Sequence, residues 1–232
     1  MYQGKTIALI LPARNEAIAL PTVLKNVPPV IDHVLVIDNG STDSTPQVAR
    51  EYGAQVVAES KIGYGRACLA GIAALKISPP DVVAFADADG SDDLSQLLNL
   101  LTPVVNGQAD MVLGSRIPAE SHALSIQQRF GNWLATTLIH LIWNHRYKDL
   151  GPMRAINWIS LLKMKMSDKN YGWTVEMQIK ALKTGLRIRE YAVFYRQRAG
   201  GRSKVSRTLA GTVRAGIKIL WVIGREAIRR TN

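Results

Sequence analysis

In the first half of the chain, apolar residues gather in short, almost unbroken runs set between polar, turn-forming stretches. Residues 6–12 (TIALILP), 34–37 (VLVI), 55–58 (QVVA) and 82–86 (VVAFA) read as strands, and their nearly continuous apolar character suits a sheet covered on both faces. Between them the spacing turns helical. Residues 15–26 carry Ile18, Val23 and Leu24, residues 42–52 open with Ser, Thr and Asp and place Pro46 near the first turn, and residues 63–75 form a third helix. Strands alternating with helices in this way predict an α/β fold built on a parallel sheet.

The second half is less regular. Residues 111–114 and 186–195 read as strands, and 127–143 and 171–184 as helices. A basic, glycine-containing loop over 200–206 leads into a long helix from residue 204 or 205 to about 230. At 100° per residue, Arg207, Arg214, Lys218, Arg225 and Arg229 share one narrow sector of that helix. Leu209, Val213, Ile217 and Leu220 lie away from it. Such a helix either docks its apolar face on the protein or lays it on an anionic membrane.

The 232 residues suffice for a sizeable core without staples, and 47% apolar with 20% charged residues is ordinary for a globular protein. The single cysteine, Cys68, forms no internal disulfide and reads as a small core residue. No stretch approaches the roughly 20 apolar residues of a membrane span, and the start of the chain does not read as a signal peptide. A cytoplasmic protein is expected, one that can visit the inner face of a membrane. The net charge of +11 suits a polyanionic partner: nucleic acid, an anionic membrane surface or a phosphate-rich substrate. Basic residues crowd toward the end of the chain, whereas the acidic ones concentrate before residue 120.

In an open sheet of this kind, ligands bind at the carboxyl ends of the strands. The loops expected there read PARNE, DNGSTD and DADGSDD. Asp87 and Asp89, flanking the small Ala88, can hold one hard divalent cation, Mg2+ or Mn2+, against a diphosphate. An isolated pair of this kind is more often a solvated turn, and Asp92 and Asp93 serve equally well as helix caps. The carboxylates argue against a nucleic-acid partner, because they would repel a phosphate backbone. A dinucleotide-binding G-x-G-x-x-G turn is missing after the first strand, which argues against a dehydrogenase. The four histidines show no metal-ligand spacing.

Taken in order, LPARNEA, VIDNGSTDST, GYGRA, ADADGSDD and GSR resemble the family 2 glycosyltransferases over roughly residues 5–120. The resemblance implies the GT-A fold, a Rossmann-like, mostly parallel sheet with helices on both faces, here with a C-terminal amphipathic helix. It also implies a nucleoside-diphosphate sugar as donor. Pro12, Arg14 and Glu16 would line the nucleotide pocket, Asp38 or Asn39 would meet the base and ribose, and Arg66 belongs to the same donor set. Asp87, Ala88 and Asp89 would lie at the diphosphate, with Asp87 and Asp89 on the metal. Arg14 stands in place of the usual tyrosine and Asn39 in place of a second aspartate, so a UDP-linked and a GDP-linked donor both remain open.

Residues 198–204 contain R-x-x-G-x-S-K, which is similar to the closing motif of dolichol-phosphate mannose synthase-like enzymes. Arg198 and Lys204 would then neutralise the leaving diphosphate. The same resemblance assigns Arg116 and Arg129 to an acceptor phosphate. It also matches the tract 149–155, where Met153 replaces an aromatic residue. The implied enzyme is an inverting glycosyltransferase with a polyprenyl-phosphate-type acceptor; a small phosphorylated or sugar acceptor is the alternative. A phosphate acceptor is already ionised, whereas a hydroxyl needs a carboxylate base, for which Asp149 and Glu176 are the candidates beside the metal-holding Asp89. The expected organisation is one domain over 1–204, its nucleotide and metal half ending near residue 120, followed by the basic helix over 205–232.

Overall fold

The computed structural model describes residues 1–118, 126–199 and 209–229. Seven strands form one sheet: β1 (Ile7–Ala13), β2 (His33–Asp38), β3 (Gln55–Ala58), β4 (Val82–Phe85), β5 (Met111–Pro118), β6 (Arg154–Asn157) and β7 (Ile188–Tyr195). Their spatial order is β3-β2-β1-β4-β6-β5-β7. β1 pairs parallel with β2 and β4, β2 with β3, and β5 with β7. β6 alone runs against its neighbours β4 and β5, so the sheet is mostly parallel.

The core follows from the two-residue period of a strand. On β1, Ala8 and Ile10 turn to the side covered by α3 (Tyr64–Leu75) and α7 (Trp173–Lys183). Ile7, Leu9 and Leu11 turn to the other side, where Leu97, Leu100 and Leu101 of α4 (Leu97–Val105) cover them. Every one of these strand residues is completely buried. Two apolar layers thus flank the sheet, and the strand ends carry the polar loops.

The strands of the first half lie where the apolar runs place them, whereas the first helix is shorter than its spacing predicts. α1 covers Leu20–Lys25, with a proline in its opening turn, and the residues before it form a loop. The backbone N–H groups of Asn15, Glu16 and Ala17 donate to the side chains of Ser41, Thr45 and Asp43. Those bonds tie the loop after β1 to the loop after β2, and Asn15 adopts a left-handed φ of 52° to make them. α2 covers Thr45–Glu51. Two elements carry no clear sequence signal: the four-residue β6, which holds the buried Arg154, and α6 (Trp158–Lys163), capped by the Asn157 side chain on the N–H groups of Ile159 and Ser160.

α5 (Ile126–Trp143) and α8 (Leu209–Ile228) pack against each other and against α7. Of the expected basic sector, Lys218 and Arg225 turn to the protein, whereas Arg229 is exposed and the side chains of Arg207 and Arg214 lie outside the described ones. Lys218 Nζ lies 2.9 Å from Asp168 Oδ2, and Arg225 Nη2 lies 2.8 Å from Glu176 Oε1. Val222, Ile223 and Glu226 form the buried face. Ile217, Leu220, Trp221 and Ile228 remain exposed, so α8 docks and also keeps an apolar stripe in solvent. No helix among the described residues is long and apolar enough to cross a membrane.

Candidate active site

The carboxyl ends of β1, β2 and β4 open into a cleft of about 1130 Å³ that continues between α5 and α8. It brings together Pro12, Arg14, Glu16, Asn39, Asp87, Ala88, Asp89, Arg116 and Arg198. Asp38, Arg66, Arg129, Asp149 and Glu176 do not line it. Lys204 and most of the closing motif lie outside the described residues, as does the expected start of the last helix at residue 204 or 205.

The loop after β4 carries the densest negative charge. Asp92 Oδ2 accepts from the Asp87 N–H at 2.9 Å, and Tyr64 hydrogen-bonds the Asp87 side chain. Asp89 Oδ1 accepts from both the N–H and the hydroxyl of Ser91. Burial, then the charges of Asp89 and Asp92, push Asp87 well above the usual carboxylate range. Burial and the Asp89 charge likewise raise Asp92 to about 7, against the Asp87 N–H, Arg116 and Arg154. Asp93 behaves differently: its side chain caps the following turn by accepting from Ser95.

A divalent cation suits this loop. Asp92 Oδ1 is buried without a hydrogen-bond partner, and crowded carboxylates become easier to ionise beside positive charge. No group of three or more potential metal-ligating side chains assembles among the described residues. A pair of carboxylates such as Asp87 and Asp89 is the kind of donor set that leaves coordination positions for substrate oxygens and water.

Positive charge faces this loop across the cleft. Arg198 Nη2 lies 2.7 Å from Asp89 Oδ2 and 3.1 Å from Glu16 Oε1. The Nε–H groups of Arg14 and Arg198 are buried without partners, which leaves donors for an anion. Arg116 donates from Nε to Asp149 Oδ2 at 2.7 Å and from Nη2 to Asp149 Oδ1 at 2.9 Å, and stacks on the Tyr195 ring with its guanidinium carbon 5.2 Å from the centroid. Against its burial, these bonds and the Asp149 charge raise the Arg116 value further, so it stays charged.

The remaining expected residues have local partners. Asn39 donates to the carbonyls of Glu59 and Lys61 and accepts from the Gly63 N–H, closing the β2 loop onto the start of α3 while lining the cleft. Asp38 accepts from the Ser41 N–H in its own turn. Arg129 is exposed on α5, beside Phe130 at the cleft mouth. Glu176 is completely buried and accepts from Ser167 and Asp168 while pairing with Lys180 and Arg225. It is not placed to meet a substrate, and the expectation that it accepts a proton finds no support in this geometry. Asp149 is held just as firmly by Arg116.

Nothing in the sequence marks Tyr64, which lines the cleft, Asp92, which holds the Asp87 N–H, or Arg154, which lies buried behind them. Tyr64 lies inside GYGRA, whose arginine draws the eye because it is charged. Arg154 is buried and donates to the carbonyls of Gly151, Pro152 and Thr174, and no ion pair marks it among the described residues.

Comparison with known proteins adds independent findings. The family model described as Glycosyl transferase family 2 matches residues 8–173. An uncharacterized glycosyltransferase of Mycobacterium tuberculosis (strain ATCC 25618 / H37Rv) is 36% identical over 210 residues, which cover 90% of this chain and 94% of that one. A dolichyl-phosphate hexose transferase of Haloferax volcanii is 30% identical over 234 residues, covering 98% of each chain. The crystal structure of glucosyl-3-phosphoglycerate synthase from Mycobacterium tuberculosis in complex with Mn2+, uridine diphosphate and phosphoglyceric acid superposes with a TM-score of 0.76 at 20% identity. It covers 97% of this chain and 79% of that one, and the likeness is one of fold.

Proposed function

Because the chain belongs to glycosyl transferase family 2, we propose that this glycosyltransferase is metal-dependent and inverting, and transfers a sugar from a nucleoside-diphosphate sugar to a polyprenyl-phosphate-type acceptor. One observation carries the reading. The cleft sets the Asp87–Asp92 loop against Arg14, Arg116 and Arg198, then continues as an apolar passage past Phe130, Leu134, Ile219 and Leu220. A diphosphate with its cation fits the first part, and an acceptor with a charged head and an apolar tail fits the whole.

Pro12, Arg14, Glu16 and Asn39 border the nucleotide side, which takes a UDP- or GDP-linked sugar. Asp87 and Asp89 hold Mg2+ or Mn2+. When bound, that ion supplies positive charge to the departing diphosphate. Arg198 adds charge-assisted hydrogen bonds to the same oxygens. Arg116, aligned by Asp149, presents the rest of its guanidinium to the acceptor phosphate, and Arg129 attracts that phosphate from the cleft mouth. An ionised phosphate oxygen attacks the anomeric carbon without a protein base. Asp149 thus acts as a positioning residue.

The membrane contact falls to the exposed stripe of α8 together with Phe130, Trp133 and Leu141 on α5. α5 contains no carboxylate, and Glu226, the one acidic residue of α8, is buried. The exposed ionic side chains described on α5 and at the end of α8, Arg129 and Arg229, are cations, which suits an anionic bilayer. A two-fold contact between copies would instead set like charges together.

Calorimetry with UDP- and GDP-linked hexoses, with and without Mn2+, tests the donor half of the proposal. Tight binding of one sugar nucleotide only with Mn2+ is expected. Equal binding in EDTA contradicts metal dependence.

A further inference from the structure

Among the described residues, Arg198 pairs with two carboxylates of the cleft, Asp89 and Glu16. We propose that Arg198 and a divalent cation compete for the same oxygen of Asp89, and that Arg198 exchanges onto the diphosphate when metal and nucleotide enter together. The proposal rests on the sugar-nucleotide reading above and adds an order of events to it.

Ser91 already uses Asp89 Oδ1 through its N–H at 2.9 Å and its hydroxyl at 2.5 Å. Oδ2 is the oxygen left to face a cation, and Arg198 Nη2 stands 2.7 Å from it. A divalent ion of the magnesium type approaches a carboxylate oxygen to about 2.0–2.1 Å and demands a regular shell. Guanidinium and ion cannot both take that position, since each repels the other at such range.

The chain holds Arg198 there deliberately close. The Ala199 N–H donates to the Asp89 carbonyl at 3.0 Å, and the Arg196 N–H donates to the Ser91 carbonyl at 2.9 Å. Gly90 sits at a φ of +80°, and a Cβ there would come within 2.9 Å of the Ala199 Cβ. The end of β7 therefore lies directly on the aspartate loop, a contact that a glycine makes possible.

The same guanidinium is equipped for the second position. Its Nε–H is buried without a partner, and a planar fork with an unused edge is suited to paired phosphate oxygens. Leaving Asp89 is repaid only when an anion arrives with the metal. Metal alone should bind weakly, and nucleotide should strengthen it through the released arginine.

The two positions give Arg198→Gln effects of opposite sign. Binding of Mn2+ is read from the electron paramagnetic resonance of the free ion, first alone and then with UDP or GDP. Without nucleotide, Arg198→Gln should bind Mn2+ about tenfold more tightly than wild type, because a competing charge has gone. With nucleotide, the variant should bind it more weakly than wild type. Asp89→Asn should lose Mn2+ in both conditions, and circular dichroism checks that each variant keeps its fold. If Arg198→Gln binds Mn2+ alone no more tightly, while wild type binds metal and nucleotide together, the exchange is overturned and the donor reading stands. Wild type that binds no Mn2+ even with nucleotide overturns both.

Discussion

Asp89 and Asp149 are both buried carboxylates beside an arginine, yet their surroundings assign them different work. Asp89 faces the cleft and shares its charge with two other aspartates of one loop. Replacing it with Asn keeps the shape and removes the charge that offsets a cation. Transfer by Asp89→Asn should fall about a hundredfold or more, measured as sugar transfer in saturating Mn2+. Asp149 instead grips Arg116 through both carboxylate oxygens and lies outside the cleft lining. Asp149→Asn should raise the acceptor KM about tenfold while leaving donor affinity unchanged, because the arginine loses its alignment. A collapse of kcat at constant KM would return Asp149 to the role of base. The sequence offers Asp149 as a base and gives no sign of its pairing with Arg116, since that ion pair forms between positions far apart in the chain.

At the scale of elements, Glu176 is a fastener between α7 and α8. Burial pushes its carboxyl up, but hydrogen bonds from Ser167 and Asp168 and the Lys180 charge outweigh this and hold it below its ordinary value of 4.5. A lowered folded value means stability that is present above the ordinary value and lost as pH falls through the folded one. Glu176→Gln should cost about 3 kcal/mol in denaturant unfolding near neutral pH, since it removes the buried charge that Lys180 and Arg225 share and leaves Arg225 with Glu226 alone. The loss should shrink in acid, and the KM for donor should not move. Regular apolar runs made β1 to β4 and the helices between them legible, because local periodicity dictates those elements. β6 was not, because four residues starting with a buried arginine become a strand only through β4 and β5 on either side. The loop at residues 15–17 was likewise fixed by the side chains of Ser41, Asp43 and Thr45, which no local pattern reveals.

At the scale of the whole molecule, the wheel of α8 was readable but its orientation was not. Charge and apolarity mark out sectors, and the facing surface, with Asp168, Glu176 and Lys183 as partners and a core that takes Val222 and Ile223, decides which sector turns inward. Ile217 is 62% and Ile228 84% exposed, so changing both to Asp should leave the melting temperature almost unaltered. The same change should reduce pelleting with anionic vesicles about tenfold or more, since each isoleucine buried in an interface contributes on the order of 2 kcal/mol. Wild type should pellet less in high salt and with neutral lipid. If wild type forms a dimer that the double variant abolishes, and never pellets with vesicles, the stripe is a contact between copies.

The proposed sugar-nucleotide site, the arginines proposed to bind phosphate and the apolar passage would meet in one product. The direct measurement is mass spectrometry of reactions holding the wild-type protein, the sugar nucleotide selected by calorimetry, Mn2+ and a polyprenyl phosphate in mixed micelles. Parallel reactions replace Mn2+ with EDTA, or the lipid with phosphoglyceric acid. The account predicts a polyprenyl-phosphate hexose of inverted anomeric configuration, formed only with metal. Transfer to phosphoglyceric acid with none to the lipid, or lipid product at full yield in EDTA, would contradict it.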